Sequence, residues 1–262
     1  MNSVIYPLGH AESELNRLDA QAMLLRDPLL EQLAAKATSC LEIGCGNGSN
    51  LSLIRQANPE LNYFGVDISS TAIDAARQRF NCDSKAEFKV MNATDLEFAE
   101  ANFDLVFTKL VLWSVGNEWK KVLQEASRVM SPGGVFYALE PANDMIDLFP
   151  DKPLARKWMN AWDNAAQKQG LDPCIGKKLA HGLKQAGFED VQSRFFPVIA
   201  TGMEEERYKS IIKNLEGFYF GPAAMEFGLD MRLKAAAQAE LNALSRESLV
   251  TDALFVSWAK KS

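Results

Sequence analysis

The amino-acid sequence predicts a doubly wound α/β domain, in which helices cover both faces of a mostly parallel sheet. Three observations indicate this fold. Short apolar strands alternate with helical stretches over residues 40–140, and the connections between them are short. A glycine-rich turn joins the first strand to the next helix. The segment 103–108 is apolar with little alternation, which is typical of a strand buried on both faces of a parallel sheet.

The elements of the first half follow from periodicity and from helix signals. Leucines at helical spacing predict a helix over residues 11–36, broken at Asp27 because the residue before a proline disfavours helix. Ser69 or Ser70 supplies an N-cap for a later helix. The predicted strands are 40–43, 62–66, 87–91, 103–108 and 135–140, and the further predicted helices are 49–57, 69–80 and 119–130.

The second half is less regular, and we interpret it as insertions within one domain. A long excursion over 144–170 is helical around Trp158 and Trp162. It is followed by a helix over 175–186, a strand over 191–198, helices over 203–215 and 231–244, and a last strand over 249–260. The expected organisation is therefore a single domain of residues 1–262. It comprises an N-terminal helical cap (1–37), a ligand-binding core (38–143) and substrate-side insertions with terminal strands (144–262).

Composition excludes several classes of function. The 34 acidic and 28 basic residues give a formal net charge of −6, with no dense Lys/Arg run, which disfavours a nucleic-acid partner. No signal peptide is recognisable, and no apolar run approaches the ~20 residues that span a membrane. The four cysteines form no CxxC pair and only two histidines are present, so we expect no metal site. These features predict a cytoplasmic protein with no membrane partner, and no pattern indicates an oligomeric state.

The turn from Glu42 to Gly48 is the strongest local signal. Glycines at a strand-to-helix turn permit a sharp bend and close approach of a ligand, and the next helix points free N–H groups at it. Asp67 closes the next strand about 20 residues later, where doubly wound folds place an acid that binds ribose hydroxyls. The plainer alternatives are a ligand-free turn and a helix-capping role for Asp67.

The same turn discriminates between two ligands. Its third glycine comes one residue earlier than in the dinucleotide pattern G-x-G-x-x-G. Glu42, two residues before the first glycine, would repel a pyrophosphate but suits a ligand that carries an ammonium and a sulfonium. The residues therefore favour S-adenosylmethionine (SAM) over NAD.

Five segments resemble the motifs of class I SAM-dependent methyltransferases. In that family a third-strand Asp-Ala pair contacts the adenine, and this chain has Asn92-Ala93, which keeps a hydrogen-bond acceptor but removes a charge. The segments are 40–48 (CLEIGCGNG), 63–69 (YFGVDIS), 92–98 (NATDLEF), 103–107 (FDLVF) and 127–134 (SRVMSPGG).

The resemblance implies a Rossmann-like fold with a seven-stranded, mostly parallel sheet, an antiparallel last strand and helical lid insertions. It implies SAM as cofactor and S-adenosylhomocysteine as product. The implied contacts are with the methionine part for Glu42, Gly44, Cys45 and Gly46, with the ribose for Asp67, and with the adenine for Ile68, Asn92 and Ala93.

Segments outside the core resemble a small-molecule subset of the family, so the expected acceptor is a small molecule. These segments are 6–10 with Glu14, Arg17-Leu18 and Gln21, then 170–176 and 186–188. Arg17 is a candidate partner for the SAM carboxylate, and the candidate acceptor contacts are Tyr6, His10, Trp113, Glu140 and Asn143. No catalytic residue is assigned, because methyl transfer mainly requires alignment and exclusion of water.

Three other functions remain open at this point. A methyltransferase that acts on protein or RNA is disfavoured by the acidic balance and the insertions. A nucleotide-binding oxidoreductase and a non-catalytic SAM-binding protein are the others.

Overall fold

The computed structural model describes residues 12–201, 205–221, 223–244 and 247–262. The helices are α1 (Glu12–Leu24), α2 (Pro28–Ala34), α3 (Ser49–Ala57), α4 (Ser70–Arg79), α5 (Trp119–Val129), α6 (Pro153–Lys168), α7 (Leu179–Gln185), α8 (Glu205–Tyr219), α9 (Ala223–Glu226) and α10 (Met231–Asn242). The strands are β1 (Ser39–Ile43), β2 (Asn62–Asp67), β3 (Ala86–Val90), β4 (Phe103–Lys109), β5 (Met130–Pro141), β6 (Asp147–Phe149), β7 (Phe188–Thr201) and β8 (Leu249–Lys261).

One mixed sheet organises the molecule, and it confirms the doubly wound class. The strand order begins β3-β2-β1-β4-β5-β8, with β1 to β5 parallel and β8 antiparallel to β5. Because β1 is central and the order reverses there, the loops after β1 and β4 diverge and leave a crevice, the usual ligand position in such sheets.

The sheet has eight strands, one more than the seven that the resemblance implies. The additional strand is β6, a three-residue piece that pairs antiparallel with residues 249–251 of β8. β6 pairs with the same edge of β8 as β5 does, just beyond the end of β5. β7 pairs along the opposite edge of β8. A strand of three residues has too little sequence for an alternating pattern to appear.

Local signals explain the boundaries that were predicted well. The break near Asp27 is real: its side chain accepts a hydrogen bond from the Leu29 N–H at 3.0 Å, and Pro28 begins α2. Ser69 caps α4 by accepting from the Ala72 N–H at 3.2 Å. The short helix α9 was missed, since four residues cannot display a helical period.

Two helices place the site. α5 buries Val122, Leu123, Ala126 and Val129 against the sheet, whereas α1 and α8 contact each other and lie over the carboxyl ends of the parallel strands. In the part of the chain that is described, no helix is both long and apolar enough to cross a membrane.

Candidate functional site

A cavity of about 370 Å³ lies at the carboxyl ends of the strands. Its lining has two halves, which different parts of the chain supply. Each half is named here for the ligand that the sequence predicts at it. The cofactor half comprises Ile43, Gly44, Gly46, Val66, Asp67, Ile68, Met91, Asn92, Ala93 and Thr94, which follow β1, β2 and β3. The acceptor half comprises Val111, Trp113, Pro141, Asn143, Ile146, Leu215, Phe218, Tyr219, Asp252 and Leu254.

The glycine turn is shaped by its backbone. Gly44 has φ +76° and Gly46 has φ +53°, values that side chains rarely permit. The N–H groups of Gly44 and Cys45 both donate to the Val66 carbonyl, at 2.7 and 3.0 Å, which ties the turn to β2. A Cβ on Gly44 would lie 2.3 Å from the Val111 side chain, so this position admits glycine alone.

Asp67 holds the turn as well as facing the cavity. One carboxylate oxygen accepts the Gly46 N–H at 2.9 Å and the other accepts the Ser69 N–H at 2.9 Å. Each oxygen keeps further lone-pair capacity toward the cavity, which suits a pair of ribose hydroxyls. Because Ser69 itself caps α4, the helix-capping alternative for Asp67 is not what the geometry shows.

The loops after β2 and β3 complete the cofactor half. Ile68 lines the cavity while remaining 49% exposed, and Ala93 lines it beside Asn92. The side-chain carbonyl oxygen of Asn92 accepts hydrogen bonds from the backbone N–H and the hydroxyl of Thr94, both at 3.0 Å. Its amide N–H groups are therefore the atoms best placed for a ligand, rather than the acceptor that the sequence suggested.

The side chains of Glu42 and Cys45 lie behind the turn and do not line the cavity. Glu42 is fully buried and accepts hydrogen bonds from the Tyr63 hydroxyl and, at 2.7 Å, from the Asn50 amide. Burial raises the pKa of Glu42 to about 7. Burial likewise raises the pKa of the Cys45 thiol. The Glu42 carboxylate thus supports the floor of the site.

Lys109 is a cation that sequence reasoning missed. It ends β4 and lines the cavity. Its ammonium group donates to the backbone carbonyl of Leu25 at 3.1 Å and to the side-chain oxygen of Asn50 at 2.9 Å. Burial lowers its pKa to about 8, against the opposing effect of Glu42. The signal in the sequence was a lysine that ends an otherwise apolar strand.

Arg17 reaches the cavity from α1, and its contact with the SAM carboxylate stays a prediction. It is 7% exposed, and its guanidinium donates to the side-chain carbonyl oxygen of Asn214 on α8 at 3.0 Å. Gln21 donates to the same oxygen at 3.0 Å. The two helices that cover the cavity are therefore joined by a shared acceptor.

Glu140 is a buried organiser of the loop after β4. Its carboxylate accepts the N–H groups of Val111, Leu112 and Trp113 at 3.0, 2.9 and 3.3 Å. Burial raises its pKa to about 7 despite these bonds. Glu140 does not line the cavity, so it acts on the site through the loop that carries Trp113.

Trp113 and Asn143 do line the acceptor half. The Trp113 indole donates to the Leu110 carbonyl at 2.9 Å, and its ring lies 5.2 Å from that of Phe218. The Asn143 amide donates to Asp163 at 2.9 Å. Tyr6 and His10, the other predicted acceptor contacts, lie outside the described residues.

The comparisons with known proteins agree with this geometry. Residues 41–138 match the family model described as "Methyltransferase domain". Residues 41–138 therefore form a methyltransferase domain. The matched segment contains the glycine turn and Asp67, so the methyltransferase assignment and the cofactor half rest on the same residues.

Two curated methyltransferases illustrate the similarity. A fatty-acid O-methyltransferase of Mycolicibacterium smegmatis is 31% identical over 130 residues, covering 50% of this chain and 47% of the relative. A demethylmenaquinone methyltransferase of Geobacillus stearothermophilus is 25% identical over 207 residues, covering 78% and 83%. The chain spans about half the length of the first relatives that it matches.

A solved structure shows the same fold. Geranyl diphosphate methyltransferase in complex with SAM superposes with a TM-score of 0.57 at 16% identity, covering 95% of this chain and 88% of that one. The methyltransferase fold therefore extends well beyond the matched segment and includes the insertions.

Proposed function

We propose that the whole protein is an enzyme that transfers the methyl group of SAM to a small apolar acceptor. The observation that carries this proposal is the single cavity that runs from the glycine turn and Asp67 to an aromatic pocket. We further propose one domain, with residues 1–37 as cap, 38–143 as SAM-binding core and 144–262 as acceptor-side insertions, working in the cytoplasm.

The residues present fit the cofactor. A Cβ on Gly44 would meet Val111, and the glycine backbone leaves room for a ligand to lie close to the turn. The Asp67 carboxylate suits the ribose hydroxyls, and Arg17 and Lys109 offer positive charge for the methionine carboxylate. When bound there, SAM supplies an electrophilic methyl group on a sulfonium.

The chain's own residues then align the acceptor and exclude water. Glu140 fixes the loop that carries Trp113, and α1 and α8 cover the cavity through the Arg17–Asn214 contact. Alignment of nucleophile and methyl group supplies much of the acceleration in such displacements, and a covered site strengthens it by removing water.

The acceptor pocket favours an apolar small molecule. Trp113, Phe218 and Leu254 form its walls. Three of the similar proteins act, by their names, on small molecules, namely a fatty acid, demethylmenaquinone and geranyl diphosphate, whereas another acts on tRNA. A macromolecular acceptor would need an open surface, and the covering helices oppose this.

The test is label transfer from methyl-labelled SAM. We expect the protein to bind SAM and S-adenosylhomocysteine by calorimetry and to label compounds in a small-molecule extract, but not bulk protein or RNA. Binding without any label transfer would indicate a non-catalytic SAM-binding protein. Binding of NAD in place of SAM would indicate an oxidoreductase.

A further inference from the structure

We propose that Asp252 is the group that receives the acceptor's proton, and that the acceptor presents a neutral hydroxyl rather than a carboxylate. This inference rests on the proposed methyl transfer and names its acceptor class and its base.

Strand geometry places Asp252 in the acceptor half. Pro141 of β5 pairs with Leu254 of β8, and the Ala142 N–H donates to the Ala253 carbonyl at 2.9 Å. The next position along this antiparallel ladder sets Asn143 beside Asp252. Because side chains alternate along a strand, Asp252 and Leu254 share one face, and both line the cavity.

Asp252 has no counter-charge in the part of the chain that is described. The one hydrogen bond to its carboxylate comes from the neighbouring Ala253 N–H, at 2.8 Å. The residue of β7 that pairs with Asp252 is Val198, which is apolar. A carboxylate held in a cavity wall without a cation costs folding free energy, which indicates that it serves something other than stability.

The polar groups beside Asp252 are mainly oxygen atoms. The Asn143 side-chain amide donates one N–H to Asp163 of α6, which leaves its carbonyl oxygen and its second N–H. Tyr219 of α8 also points its hydroxyl at Asp163, at 3.4 Å. Of the charged groups on the segments packed against β8, Lys177 is paired with Asp144 at 2.6 Å. Burial raises the pKa of Asp163 to about 7, so this group is partly protonated at neutral pH. A carboxylate head group would be repelled by the ionised Asp252, whereas a hydroxyl would donate to it.

Burial tunes Asp252 for this task. It raises the pKa of Asp252 from 3.8 to about 6, so the group is ionised at neutral pH yet more basic than an ordinary aspartate. Above that pKa the carboxylate accepts a proton, and below it the group is already protonated and cannot.

The step balances without any further reactant. The acceptor O–H bond breaks and its proton passes to Asp252, while an oxygen lone pair forms the bond to the methyl carbon. The C–S bond breaks with its electron pair on sulfur, which leaves a neutral thioether and a methyl ether. The proton on Asp252 is then released to water.

The first experiment compares two probes with the same body. Binding of para-butylphenol and para-butylbenzoate to the complex with S-adenosylhomocysteine is measured by calorimetry at neutral pH. We expect the phenol to bind at least about tenfold more tightly, since the ionised Asp252 repels the benzoate carboxylate at close range. Equal or tighter binding of the benzoate, or binding of neither probe, would overturn the proposal.

The second experiment uses Asp252→Asn, which keeps shape and removes charge. We expect the benzoate to bind more tightly than in the parent, and transfer of labelled methyl to the phenol to fall by about a hundred- to ten-thousandfold. In the parent, transfer should rise with pH through about 6, and this limb should vanish in the variant.

Asp190→Asn is the matched control, because Asp190 is exposed and pairs with Lys260 at 2.7 Å, away from the cavity. It should behave like the parent in every assay. A bound phenol that receives no label, or an unchanged pH limb in Asp252→Asn, would refute the proton transfer. Affinity for S-adenosylhomocysteine and labelling of the extract, both measured with the parent, are expected whichever group takes the acceptor's proton, so they test the proposed function separately.

Discussion

The two halves of the cavity are built in different ways. The cofactor half is formed by a continuous run of backbone: the glycine turn, its two bonds to the Val66 carbonyl, and Asp67 at the end of the next strand. The acceptor half is formed by side chains from β4, β5, α8 and β8, which lie far apart in the chain. A site made by local backbone leaves a short signature in the sequence, while a site assembled from distant side chains does not.

Breaking the backbone of the cofactor half should have the largest effect. Gly44→Ala puts a Cβ about 2.3 Å from the Val111 side chain at a φ of +76°. We expect SAM binding to become undetectable by calorimetry, with a lower midpoint of thermal unfolding. Gly133→Ala is the control: Gly133 has the same φ of +76° but nothing within 4 Å, so it carries the strain without the collision. Equal losses in both variants would show that strain alone matters.

Removing the charge of Asp67 should have a smaller effect. Asp67→Asn keeps one carbonyl oxygen for the turn but loses a charge-assisted bond to the ribose, which costs about 1.5–3 kcal/mol, roughly ten- to a hundredfold in affinity. Asp74→Asn on the exposed face of α4 should leave the affinity unchanged. An Asp67→Asn variant that binds SAM like the parent would disconnect Asp67 from the cofactor.

Two buried carboxylates that lie behind the cavity lining should make stability depend on pH in one direction. The pKa values of Glu42 and Glu140 are raised from 4.5 to about 7, so the folded state binds more protons than the unfolded state between these values. The free energy of unfolding should therefore fall as pH rises through about 7. Urea titrations at about pH 5 and about pH 8 measure this, and Glu140→Gln should flatten the slope. A flat slope, or one of opposite sign, would mean that the pKa values of these two groups are not raised in the fold.

The contact between the covering helices should have the smallest effect. Asn214→Ala removes the acceptor shared by Arg17 and Gln21 and shortens one side chain of the cavity wall. We expect a severalfold rise in KM for SAM with little change in kcat, and faster hydrogen exchange in α1. Gln238→Ala is a control outside the cavity. Gln238 lies on α10, and its side-chain amide donates to Glu216 on α8, the helix that carries Asn214. Unchanged exchange in Asn214→Ala would show that α1 is held by other contacts.

The same contrast explains what the sequence could predict. The parallel sheet, the break at Asp27 and the lining roles of Gly44 and Asp67 follow from local signals, and the structure places them accordingly. The role of Glu140 was not readable, because its three partners are backbone N–H groups more than twenty positions earlier. Asp252 was missed because a lone aspartate near the start of a strand has no pattern, and only the register of β8 against β5 brings it into the cavity.

The position of β8 has a consequence for how the chain reaches its fold. Lys260 pairs with Val135, so β5 remains an unpaired edge until a strand far along the chain joins it. Pairings between such distant segments form slowly, and an apolar edge with open N–H and C=O groups recruits strands from other molecules. Phe136, Ala138 and Leu139 of that edge are fully buried in the finished sheet. Chains that have not yet added β8 are therefore the ones that chaperones must protect, and damage to β8 should yield aggregates rather than a soluble, inactive protein.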